Sequence, residues 1–143
     1  MTRASSLRTL QQWRERQRDA AHAALGNAQR TLAAFEAKRK AWRQQIGAEA
    51  APRDGDAPGL ALLGWVEAAR TREWRGEAEA AQLRLAVREA DAAFRAADLA
   101  LEQLTQLQQR QAARDRQDAA RRLQKRVDDL QRGGMLDDAG ALS

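Results

Sequence analysis

A chain of 143 residues with no cysteine, no tyrosine, two phenylalanines and a net charge of +5 has little with which to build a thick core. Alanine supplies most of its apolar fraction, and Ala, Leu, Arg, Gln and Glu dominate, the mixture of long helices and coiled coils. Without cysteine, disulfides, thiolate metal sites and thiol nucleophiles are excluded.

Residues 1–18 hold no apolar core segment, so a secretory signal is not expected there. No apolar run approaches the ~20 residues needed to span a bilayer. The expectation is a soluble, cytoplasmic chain with no direct membrane insertion.

The first helix is expected over residues 5–46, with Ser5 or Ser6 as the cap that accepts a bond from the first turn. Leu25, Ala28, Leu32, Phe35, Arg39, Trp42 and Ile46 alternate steps of three and four, the 3.5-residue repeat of a left-handed supercoil seam. Arg39 is the one charged member, its stem expected along the seam and its head in water. Upstream, Leu7, Leu10, Trp13, Ala20, Ala21 and Ala24 form a looser stripe of different phase. Gly26 costs roughly 1 kcal/mol relative to alanine and is tolerable.

The break follows at residues 47–59, GAEAAPRDGDAPG, with three glycines and both prolines within thirteen residues. Proline lacks a backbone donor and glycine loses the most entropy on ordering, so helix is not expected here. Asp54-Gly55 and Pro58-Gly59 are turn dipeptides.

The second helix is expected over residues 60–132. Leu60, Leu62, Leu63, Trp65 and Val66 give it an apolar start, and Leu83, Val87, Ala90, Phe94, Ala97, Leu101 and Leu104 repeat the three-and-four spacing. The pattern then frays, and Ala119, Leu123, Val127 and Leu130 resume it in a shifted phase. Gly133-Gly134 reads as a helix stop, leaving 133–143 as a short mobile tail.

Two unequal helices around one break predict an all-α, antiparallel two-helix coiled-coil hairpin with an overhanging second helix, one domain over 1–143. Folding about residue 53 would bring Trp42 to Trp65 and Phe94 to Trp13, with Leu101 facing the start of helix one. Past about Leu104 the second helix would lack a partner, and a lone helix of that length is marginal in water.

Charge is unevenly placed. Residues 1–43 carry ten basic and three acidic side chains; residues 110–126 carry seven and two. The latter stretch admits three readings: a solvated face, a docking face for an acidic protein, or phosphate contacts to nucleic acid. Asp115 and Asp118, interleaved among the arginines, count against the last. Trp13 and Trp74 read as packing in or beside the seam. Trp42 and Trp65 flank the break and read equally as tip packing or as a partner hot spot. His22, the one histidine, stands among alanines without a nucleophile or metal partner, so no catalysis, metal or cofactor is expected.

The run Leu7, Leu10, Glu15, Asp19, Ala20, Ala21 and Leu25, in the pattern LxxLxxxxExxxDAAxxxL, resembles the FliJ family of flagellar type III export proteins and their YscO-type virulence-secretion relatives. Chain size, a longer second helix and a basic Gln/Arg-rich final third agree with that resemblance. It implies a non-catalytic cytoplasmic stalk, peripherally associated with the inner membrane through the export apparatus. Its partners would be the hexameric export ATPase, the cytoplasmic domain of the membrane export gate and substrate chaperones. The implied gate contacts are Lys38, Trp42, Gln45, Trp65, Ala69 and Arg72. Leu7, Leu10, Arg14, Arg18, Arg114, Arg121, Arg122 and Arg126 would face the ATPase. The family favours tyrosine or another bulky group at several gate positions, and this chain has none there beyond Trp42 and Trp65, which leaves room for the virulence-type branch. An arginine-rich coiled coil associated with nucleic acid is the alternative of a different class.

Overall fold

The computed structural model describes residues 3–49 and 60–141. Two helices account for them, α1 (Arg3–Glu49, 47 residues) and α2 (Leu60–Ala141, 82 residues), and they pack against one another. Both run further than the sequence suggests. Ser5 and Ser6 lie inside α1, so neither is its cap, and Thr9 donates its hydroxyl back to the Ser5 carbonyl at 3.0 Å. Gly47 is helical with nothing within 4 Å of its would-be side chain. The two prolines and both turn dipeptides lie outside the described residues.

Gly133 and Gly134 do not stop α2, which continues to Ala141, so the tail expected over 133–143 is helical to that point. A glycine pair ends a helix by adopting a left-handed φ, and neither residue does so here. What remains is the ordinary cost of glycine in a helix, about 1 kcal/mol each relative to alanine.

The chain divides into two compact units. One is Gln12–Leu99. Its half-buried positions on α1 are led by Arg14, Arg18, Ala21, Leu25, Ala28, Leu32, Phe35, Arg39, Trp42 and Ile46, an unbroken three-and-four alternation. On α2 the matching run is Val66, Ala69, Glu73, Gly76, Ala80, Leu83, Val87, Ala90, Phe94 and Ala97. Among the described residues of this unit only Ala80 is fully buried, so the core they form is a seam one side chain thick.

Register here differs from the expected one. Phe94 packs edge-on against His22, ring centroids 5.2 Å apart at 69°, and not against Trp13. Size complementarity accompanies this register: the long side chain of Arg39 lies against the smallest residue, Gly76. Trp13 and Trp74, expected in or beside the seam, are 48% and 73% exposed.

The other unit combines Met1–Gln11 with Ala100–Ser143. Leu101 and Leu104 are buried, and Leu7, Gln11, Gln108 and Gln111 are half-buried. Pairing therefore does not end at Leu104: the Gln108 side-chain amide donates to the Leu7 carbonyl at 3.3 Å, one turn further on. From residue 112 to 135 every residue is exposed, including Leu123, Val127, Leu130 and Met135.

Candidate partner-binding surfaces

In the unit Gln12–Leu99, Trp42 is the hub of one surface. It sits on the α1 seam three residues after Arg39, and its ring is covered by the Arg72 guanidinium of α2, 4.5 Å from the centroid. That is stacking range for a cation on an indole face. Three shallow hollows share Trp42. The first, of about 290 Å³, is lined by Phe35, Lys38, Arg39, Arg72, Arg75 and Gly76 among others. A second, of about 230 Å³, brings together Trp42, Gln45, Trp65, Ala69 and Arg72. On the third, of about 320 Å³, Trp42, Ile46, Trp65, Val66 and Ala69 form an apolar floor beside Arg43, Arg70 and Glu73. Five of the six residues assigned to the gate contact thus line one hollow, and Lys38 lines its neighbour with Trp42 and Arg72.

An ion cluster underlies this surface and was not legible beforehand. Arg39 does not lift its head into water. Its side chain is 10% exposed, and it donates to Glu73 at 2.8 Å and to Glu77 at 3.1 Å. Arg43 also pairs with Glu73, and Arg84 pairs with Glu77 at 3.1 Å while lying 4.0 Å from Glu36. Glu73 is itself a seam residue, so a cation and an anion share the layer that Gly76 leaves open. The Arg39 Nε is buried without a partner.

The cluster sets the acidity of its members. The Arg43 hydrogen bond holds the Glu73 carboxyl below the ordinary carboxylate range; desolvation, the next influence in size, opposes it, and the Arg43 charge and the hydrogen bond and charge of Arg39 add to the lowering. Glu77 is lowered first by the Arg84 hydrogen bond and next by that from Arg39. The Arg43 guanidinium is raised, chiefly by its bond to Glu73. These groups are charged and committed to one another, which suits a clamp between helices. The signal available in the sequence was an arginine and a glutamate both falling on seam positions.

The residues assigned to the ATPase contact are distributed over both units. Leu7, half-buried, belongs to the unit holding Met1–Gln11 and lines a groove of about 530 Å³ with Arg3, Arg8, Gln11, Gln108, Gln111 and Asp115. Leu10, in the same unit, is 39% exposed. Arg114, Arg121, Arg122 and Arg126 stand on the exposed stretch of α2, and none makes an ion pair among the described residues. Arg14 and Arg18 belong to the other unit, half-buried on the α1 seam; Arg14 lies 5.0 Å from the Trp13 ring and Arg18 pairs with Asp19 at 3.4 Å. Of the apolar stripe read through Leu7, Leu10, Trp13, Ala20, Ala21 and Ala24, Leu7 and Ala21 are half-buried and the other four are exposed.

His22 packs edge-on against Phe94. Among the described residues no three His, Cys, Asp or Glu side chains converge to hold a metal ion. No helix among them is long and apolar enough to cross a membrane.

No family model, no curated protein and no solved structure matches this chain.

Proposed function

We propose that the chain is a non-catalytic coupling stalk of a type III protein export apparatus, flagellar or of the virulence type. In this reading the two helices form an antiparallel coiled-coil hairpin with an overhanging second helix. The order of contacts supports it: His22 meets Phe94, Glu36 approaches Arg84 and Arg39 meets Glu73, so partners descend α2 as they ascend α1. The uninterrupted three-and-four spacing is that of knobs packing into holes.

The observation that carries the functional reading is the unpaired basic stretch of α2. Residues 112–135 bury nothing, although a helix of this length is marginal alone and exposes Leu123, Val127, Leu130 and Met135. A partner surface supplies what is missing: acidic groups for Arg114, Arg121, Arg122 and Arg126, and an apolar strip for the leucines. The hexameric export ATPase is the proposed partner there. The Trp42 surface, with an aromatic, apolar floor rimmed by arginines, has the composition of an interface hot spot and is assigned to the cytoplasmic domain of the export gate. Substrate chaperones remain part of the same proposal, and the site of action is the cytoplasmic face of the inner membrane.

Deleting residues 116–143 tests this, because it leaves the groove residues Leu7, Gln108, Gln111 and Asp115 in place. The truncated chain should stay helical by circular dichroism and lose both co-purification with the export ATPase and stimulation of its turnover. Full stimulation by the truncated chain would remove the assignment.

A further inference from the structure

Within Gln12–Leu99 the two flanks of the seam hold their charges differently. Glu36, Arg43, Glu77 and Arg84 each stand one residue after a seam position, and there charges pair off: Arg43 with Glu73, and Arg84 with Glu77 and, at 4.0 Å, Glu36. Lys38, Arg72 and Arg75 each stand one residue before a seam position, which turns them about 100° round the helix to the other flank. All three are exposed, and none of their side chains makes a hydrogen bond or ion pair among the described residues. The fold nevertheless gathers them. One hollow of about 290 Å³ takes Lys38 from α1 and Arg72 and Arg75 from α2, with Phe35, Trp42 and Gly76 beside them. Arg39 and Glu73, which also line it, neutralise one another. Glu79 is then the one acidic counterpart to three unpaired cations in the lining.

A surplus of positive charge attracts an anion, and the rest of the lining narrows its kind. The Arg72 guanidinium lies over the Trp42 ring at 4.5 Å, which fixes its plane and leaves its N–H edge free. A carboxylate fits such an edge with two parallel hydrogen bonds. Phe35 and Trp42 offer apolar wall to whatever adjoins that carboxylate. The volume is at the small end of ligand sites and suits one or two side chains. A nucleic-acid strand needs cations repeated along its path. On this flank the neighbouring positions are Thr31, Ala34 and Ala41 on α1 and Ala68, Gln82 and Ala86 on α2, none of them charged. The patch is short, as a contact with a few side chains of a protein requires.

We propose that this hollow receives an acidic segment of a partner protein, its carboxylates on Lys38, Arg72 and Arg75 and an apolar residue of the same segment against Phe35 and Trp42. The proposal rests on the reading of the Trp42 surface as an interface and adds the chemistry of what docks there. It does not require that the segment belong to the export gate.

Fluorescence anisotropy with the full chain tests it. The probe is a short labelled peptide in which one Leu is flanked on both sides by Asp and Glu, and its twin carries Asn and Gln instead. The acidic peptide should bind saturably and more weakly as salt is added, and the amide twin should not bind. Lys38→Glu/Arg75→Glu should weaken the peptide at least about tenfold. Lys40→Glu/Arg88→Glu makes the same change in net charge at exposed residues outside the hollow and should leave binding unchanged. Circular dichroism should show both variants as helical as the parent. Equal binding of the two peptides, or equal weakening in the two charge-reversed chains, overturns the proposal. So does a single-stranded oligonucleotide that displaces the peptide and depends on Lys38 and Arg75, because the site would then take phosphates. The gate's cytoplasmic domain, titrated in parallel, separates the two readings. If the peptide binds as described and the gate does not, only the gate assignment falls; if the gate binds and the peptide does not, only this proposal falls.

Discussion

Arg39 lies so close to Gly76 that a β-carbon on the glycine would stand 3.2 Å from the arginine Nε. The contact joins the one charged member of the predicted α1 seam to the position on α2 where no side chain competes for space. Ion pairs to Glu73 and Glu77 hold the guanidinium in that slot. Glycine in mid-helix is otherwise a liability of about 1 kcal/mol.

A comparison of alanine substitutions follows from this. Gly64 is helical and has nothing within 4 Å of its would-be β-carbon. Gly64→Ala should therefore realise the helix-propensity gain of about 1 kcal/mol. Gly76→Ala should not, because the added methyl crowds a side chain that its ion pairs prevent from moving aside. Thermal melts followed by circular dichroism decide it; equal gains at the two sites would mean that Arg39 yields freely.

Arg39 itself should respond differently to deletion and to replacement. Arg39→Ala strands Glu73 on the seam and opens space beside Phe35 and Trp42, at a cost of about 1–2 kcal/mol. That is less than the 3–5 kcal/mol of fully buried pairs, since the carboxylates are 40% and 57% exposed. Arg39→Met fills the same slot without a charge to desolvate and should fall within about 1 kcal/mol of the parent. Chemical denaturation of both variants tests the ordering, and an Arg39→Met loss as large as that of Arg39→Ala would contradict it.

Acid should loosen the clamp. Glu73 and Glu77 both have folded-state values below the ordinary carboxylate range, so the folded form binds fewer protons than the unfolded one. Their contribution is complete above the unfolded carboxylate pKa and is lost as pH falls through the lowered folded values. Both groups face solvent, so added salt should shrink the effect. Melting temperatures from neutral to acid pH should fall more for the parent than for Glu73→Gln/Glu77→Gln. Parallel curves for the two chains would show that the cluster is not what titrates.

How much of this was legible is clearest along α1. From Leu25 to Ile46 every position picked out by three-and-four spacing is half-buried, because apolar side chains announce the phase there. Upstream the phase continues through Ala21, Arg18 and Arg14, where polarity hides it. Leu10, Trp13, Ala20 and Ala24 attract the eye instead, yet each lies one residue before a seam position, about 100° around the helix. A helix without a kink cannot change faces to follow its apolar residues. The strong stretch dictates the face of the weak one, and the exposed Trp13 is the consequence. On α2 the same holds for Glu73 and Gly76, invisible to an apolar count and decisive for register. The candidate gate residues, implied by the family resemblance, line neighbouring hollows because positions three and four apart share a helix face. The ion cluster beneath them needed the partner helix to become visible.

Trp42 is the residue on which the functional proposal is most exposed at this surface. It lines all three hollows and stacks under Arg72, so Trp42→Ala removes the shared wall as well as the cation–π contact. Tryptophans at the centre of interfaces typically contribute 2 kcal/mol or more, equivalent to about thirtyfold in affinity. Binding of the export gate's cytoplasmic domain, measured by calorimetry, should therefore weaken by at least about that factor in Trp42→Ala. Trp74→Ala removes a tryptophan that is more exposed and lies outside those hollows, and should leave gate binding unchanged. Trp42→Phe, which keeps an aromatic face under Arg72, should recover part of the loss. If the two alanine variants weaken gate binding equally, the Trp42 surface is not where the gate docks.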